Sequence, residues 1–71
     1  MSLEMLEKGK RAVVARIDGG QCAREKLLEL GVVPGVPVRV LMSAHRGPML
    51  IEVLGSRVMI GQGLASKVIV A

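Results

Sequence analysis

The alternation of apolar and polar side chains sets out five short strands and one helix. From Ala12 to Asp18, AVVARID reads as a strand with Val13, Ala15 and Ile17 on one face and Arg16 and Asp18 on the other. Asp18-Gly19-Gly20 then breaks it. The next segment, QCAREKLLEL over residues 21–30, follows a helical period of about 3.6 residues. Ala23, Leu27 and Leu30 fall on one stripe, and Arg24, Glu25 and Glu29 point away. Leu28 lies off the stripe, on the side of Arg24.

The stretch that follows is dense in glycine and proline. Gly31 stands just past the last helical turn, where a residue without a Cβ enters the left-handed region most cheaply. Val32 is placed to pack back on the helix. Pro34-Gly35 suits the two central positions of a type II turn, and Pro37, which cannot donate to a ladder, belongs at the start of a strand. That strand, PVRVLMS, puts Val38, Val40 and Met42 on one face.

After the loop SAHRGP, MLIEVL alternates Met49, Ile51 and Val53 against Leu50, Glu52 and Leu54. Gly55-Ser56 leads into RVMI, and a two-residue Gly-X connection predicts a type II′ hairpin. Gln62-Gly63-Leu64-Ala65 makes a turn or single helical turn, and SKVIVA closes the chain as an apolar strand. The expected fold is mainly β: a small SH3-like five-stranded barrel with one inserted α-helix at about residues 21–30, in a single domain, 1–71. With Val38, Val40, Ile51, Val53, Val58 and Ile60 facing in, Leu41, Leu50, Leu54, Met59 and Ile69 face out. Some of these lie under the helix or the N-terminal segment. The rest form an apolar patch of the kind that marks interfaces or self-association.

Composition sharpens this picture. The chain has 71 residues, 51% of them hydrophobic and none aromatic, so Val, Leu, Ile, Met and Ala must build the whole core. No apolar run approaches the roughly 18 residues of a membrane span. The N-terminus MSLEMLEKGKR carries charges where a leader would be apolar, which points to a cytoplasmic protein. Met1-Ser2-Leu3 carries little weight in this reading. A single cysteine, Cys22, excludes an intramolecular disulfide and a closed cysteine-based zinc site. The net charge of +4 favours an acidic partner, although the only local cluster, Lys8-Gly9-Lys10-Arg11, reads as solvated chain ahead of the first strand.

No catalytic constellation stands out: no serine or Cys22 is paired with a base, and the one histidine, His45, lies in a loop. No phosphate-loop motif occurs, and no His, Cys or Glu spacing matches a metal site, so neither cofactor nor direct iron or zinc binding is indicated. Single-stranded nucleic acid is usually bound on aromatic platforms, which this chain lacks; weak, non-specific binding to phosphates is the alternative reading. The candidate contact residues are Arg24 and Leu28 on the outward helix face, and His45 and Arg46 in the loop between the second and third strands.

Beyond these readings, the string Arg24-x-Lys26-Leu27-x-x-Leu30-Gly31-x-x-Pro34-Gly35-x-x-Val38 resembles the signature of the FeoA-like family of bacterial and archaeal ferrous-iron uptake. Gly9-x-x-Ala12-x-Val14-x-x-Ile17, Gly47-Pro48-x-x-Ile51-x-Val53 and Ala65-x-x-Val68-x-Val70 fit the same pattern, so nearly the whole chain is covered. The resemblance implies an SH3-like barrel with an inserted helix, a place in transition-metal handling, and a role as accessory partner of FeoB, the ferrous-iron transporter with a cytosolic GTP-binding domain. The same barrel forms the C-terminal domain of iron-dependent repressors, so a stand-alone metal-responsive regulatory domain is a further alternative; the DNA-binding helices of those proteins are absent from this sequence. One departure is Gly61-Gln62-Gly63, where family members often carry charge.

Overall fold

The computed structural model describes residues 1–44 and 47–71. After a 3-10 turn at Leu3–Met5 come β1 (Arg11–Ile17), α1 (Gln21–Glu29), β2 (Pro37–Ser43), β3 (Met49–Val53), β4 (Ser56–Ile60), a single helical turn α2 (Gln62–Ala65) and β5 (Val68–Val70). The strands form one antiparallel sheet in the order β4-β3-β2-β1-β5. The expected SH3-like arrangement with one inserted helix is therefore present. The sheet is not closed, however: among the described residues no ladder joins β4 to β5.

A flat sheet of this size could not enclose a core. Here residues from all five strands share one buried cluster with Leu3, Leu27, Val32 and Ala65, which requires the sheet to coil strongly. Two bulges supply the bend. In β1, Val14 pairs with Val70 and Arg16 with Ile69, leaving Ala15 as the extra residue; in β2, Val40 pairs with Ile51 and Met42 with Leu50, leaving Leu41 over.

These bulges also correct two expected faces. Val14, not Val13, is the buried residue of β1 (1% against 44% exposed), since the inward set is Ala12 and Val14 before the bulge and Ile17 after it. Met42, expected beside Val38 and Val40, is 59% exposed because the extra Leu41 turns it outward. Strict two-residue alternation fails at a bulge, and nothing in the local sequence marks either one.

The connection between α1 and β2 forms as the glycines and prolines predict. The Gly31 N–H donates to the Leu28 carbonyl (3.0 Å) and the Val32 N–H to the Leu27 carbonyl (2.8 Å), with Gly31 at φ +85°; this paired reversal is a Schellman cap. Val32 and Leu27, its hydrophobic partners, are both fully buried. The Val36 N–H then reaches the Val33 carbonyl (3.2 Å) with Gly35 at φ +93°, as in a type II turn.

The β3–β4 hairpin differs from expectation. Val53 pairs with Ser56, so the two turn residues are Leu54 and Gly55, both at positive φ (50° and 79°), the combination of a type I′ turn rather than II′. The observed register sets Glu52 opposite Arg57 and Leu50 opposite Met59. Sliding the loop to Gly55-Ser56 would instead set Leu54 against Arg57 and Glu52 against Met59. Matched cross-strand pairs thus outweigh a leucine in the left-handed region, which costs roughly 1–2 kcal/mol.

A further correction concerns the N-terminus. Leu3 is fully buried, the Val70 N–H donates to the Met1 carbonyl (2.8 Å), and Ser2 bridges Ile69 along the outer edge of β5. Farther on, Gly9 and Lys10 pair with Val40 through the backbone. This segment closes the core and covers a sheet edge that would otherwise be unpaired.

Two stability measurements follow from the packing. Leu3→Ala should destabilise the fold by about 3 kcal/mol in urea unfolding, as for a central core leucine; a loss under about 1 kcal/mol would remove the N-terminal segment from the core. Leu54→Asn should raise stability by about 1 kcal/mol, because asparagine tolerates the left-handed conformation and Leu54, 70% exposed, gives up little packing. An unchanged or lowered midpoint would show that the leucine is not strained.

Candidate functional site

The cap at the end of α1 shapes the surface around Arg24 and Leu28. Residues four apart on a helix are neighbours on one face, and both side chains are exposed, Leu28 at 63%. The Schellman reversal brings Val32, Val33 and Pro34 back alongside them, and the end of β1 contributes Arg16, Ile17 and Asp18. Together these residues line an open groove of about 480 Å³. Val32 is fully buried and Ile17 and Val33 half-buried, so the groove has apolar walls with two arginines and one aspartate exposed around them.

Such a groove can accept an apolar side chain flanked by acidic groups. Its one carboxylate, Asp18, is exposed, and no serine, cysteine or histidine is among the residues that line the groove beside it. Among the described residues no group of three or more His, Cys, Asp or Glu side chains converges to hold a metal ion; Cys22 is exposed and stands alone. No helix among them is long and apolar enough to cross a membrane.

Of the residues chosen from sequence, Arg24 and Leu28 lie together in this groove. His45 and Arg46 lie outside the described residues. Gly31, Pro34 and Gly35 occupy the turns expected of them, while Gly55 is the second turn residue instead of the first. Arg16, Ile17, Asp18, Val32 and Val33 were not singled out as site residues. The bulge at Ala15 and the helix cap bring them in, and only the cap has a sequence signal, Gly31.

The outward residues divide as well. Leu54 and Met59 are 70% and 60% exposed, whereas Leu41, Leu50 and Ile69 are half-buried. Met42, Leu50 and Met59 run in register across β2, β3 and β4 and, with Pro48, line a smaller apolar groove of about 240 Å³.

Comparisons with known proteins agree on one family. Fe(2+) transport protein A of Methanocaldococcus jannaschii is 34% identical over 68 residues, 96% of this chain and 82% of that protein. The crystal structure of an iron uptake regulatory protein, FeoA, superposes with a TM-score of 0.95 at 41% identity, covering 99% of this chain and 93% of that one. The zinc-complexed FeoA of Stenotrophomonas maltophilia, a prokaryotic SH3 domain protein, gives 0.86 at 28% identity, over 100% and 89% of the two chains. The sequence profile of the FeoA domain matches residues 1–71, and the chain belongs to the FeoA domain family.

Proposed function

We propose that this chain is a non-enzymatic accessory protein of ferrous-iron uptake, working in the cytoplasm by docking on the cytosolic part of the FeoB transporter through the α1 groove. The family membership and the relatives' part in Fe(2+) transport support the process. The observation that carries the site is Leu28, a leucine 63% exposed beside Arg24 at the mouth of a groove with apolar walls. Arginine is enriched in interface hot spots, and the exposed leucine beside it offers apolar area for a partner to cover. Covering one such leucine contributes about 1.5–2 kcal/mol. The loop with His45 and Arg46 is the second contact in this proposal.

In this reading the chain performs no catalysis and acts by binding one conformer of the transporter more tightly than another, which shifts the transporter's populations. The reading assigns no resident metal or cofactor to this chain; ferrous iron is the transporter's cargo. Nucleic acid fits less well, because a chain with no aromatic residue has no stacking platform.

Amide shifts of the labelled protein, recorded during titration with the cytosolic domain of the same organism's ferrous-iron transporter, test this directly. The shifts should gather on α1 and residues 16–18 and 32–33 and persist in moderate salt. Leu28→Asp should weaken the interaction at least about ten-fold while leaving the rest of the spectrum unchanged. Unchanged affinity would remove the helix face from the interface, and shifts only with a single-stranded oligonucleotide, fading as salt rises, would overturn the partner.

A further inference from the structure

A second groove, apart from α1, carries an independent chemistry. Arg11, Arg39, Glu52 and Arg57 stand in register across β1, β2, β3 and β4, so one row of the sheet's outer face holds three cations and one anion. Glu52 lies directly between Arg39 and Arg57 and offsets one of them. Two charges remain in excess, at the end of the row where Arg11 and Arg39 adjoin Pro37, Leu54 and Gly55 around a groove of about 350 Å³. The Arg39 Nε is buried and has no hydrogen-bond partner among the described residues.

A buried guanidinium nitrogen is ordinarily satisfied; here the arginine that carries the orphan also lines a groove, where its guanidinium is in place to pair with a carboxylate from outside. Leu54 makes a second, separate case. It holds a positive φ of 50° in a turn that favours Asn, Asp or Gly, yet its side chain is 70% exposed and so gains little from folding. Strain kept at an exposed apolar residue, beside a guanidinium whose Nε is unpartnered among the described residues, fits a contact residue.

We propose that this groove binds an acidic peptide segment of a protein partner, a carboxylate lying on Arg39 and Arg11 and a neighbouring apolar side chain on Leu54. Charge complementarity selects the carboxylate, and Pro37 with Leu54 selects a peptide over a bare anion. This site shares no residue with the α1 groove and stands or falls separately from it.

The test titrates the full chain with the peptide acetyl-(Glu-Leu)3-amide and follows amide shifts. Saturable shifts should centre on residues 38–39 and 52–55, leave Arg24 and Leu28 unmoved, and be lost with the Gln-for-Glu peptide. Arg39→Gln, and Arg11→Gln at an exposed position where folding is not at stake, should each raise the Kd at least about five-fold. Leu54→Asn should weaken binding while raising the thermal midpoint, a pair of effects that a merely structural leucine would not produce. Three outcomes would overturn the proposal: equal shifts with the Gln peptide, no saturation at millimolar peptide, or the same shifts from inorganic phosphate at equal concentration.

Discussion

The backbone of Val14 is where the sheet, the helix connection and the core are tied together. Its N–H donates to the Val36 carbonyl (2.9 Å) and its carbonyl accepts from the Gly35 N–H (2.7 Å), so the turn after α1 is fastened to β1. Its side chain is 1% exposed, and it pairs with Val70 just before the Ala15 bulge. Moving Val14 out of this position would require the bulge, the docking of the type II turn and the inward face of β1 to change together. With two backbone hydrogen bonds and a buried side chain meeting at one valine, the register of β1 has little freedom to slip.

An all-aliphatic core has a consequence for the surface. Without aromatic rings the chain lacks the side chains that combine the largest buried area with a polar end, so its interior is aliphatic and its polar surface chemistry falls to other residues. Val, Leu, Ile, Met and Ala fill the interior. Arginines, with leucines and methionines turned outward, furnish the surface. Two of the outward apolar residues sit where the fold departs from regularity, Leu54 in a left-handed turn and Met42 just after a bulge, whereas Leu28 points outward because it falls off the inward stripe of a regular helix.

Both grooves follow from this. The one beside α1 is bounded by the Schellman reversal, and the one beside the β3–β4 turn by a strained leucine. The two are neighbours: a methyl group on Gly31 would meet the Leu54 side chain at 3.4 Å, an ordinary van der Waals contact, so the positive φ rather than lack of space calls for glycine there.

Much of the architecture was legible in the residues alone. Helix and strand periods, the glycine ending α1, the proline–glycine turn and the proline opening β2 are local signals, because their physics is confined to a few neighbouring φ and ψ angles. The inward sets of β3 and β4 and the outward Leu28 were read for the same reason. Only the tertiary structure decided which face of β1 is buried, which way Met42 points, where the hairpin turn falls, and that Leu3 completes the core. Bulges and register are settled between strands distant in sequence, by which cross-strand pairs match and which side chains fill the interior. The sequence could place Arg24 beside Leu28, one helical turn apart. It could not bring Arg16, or the row from Arg11 through Arg39 and Glu52 to Arg57, into a common surface, because that neighbourhood exists only once the sheet is paired.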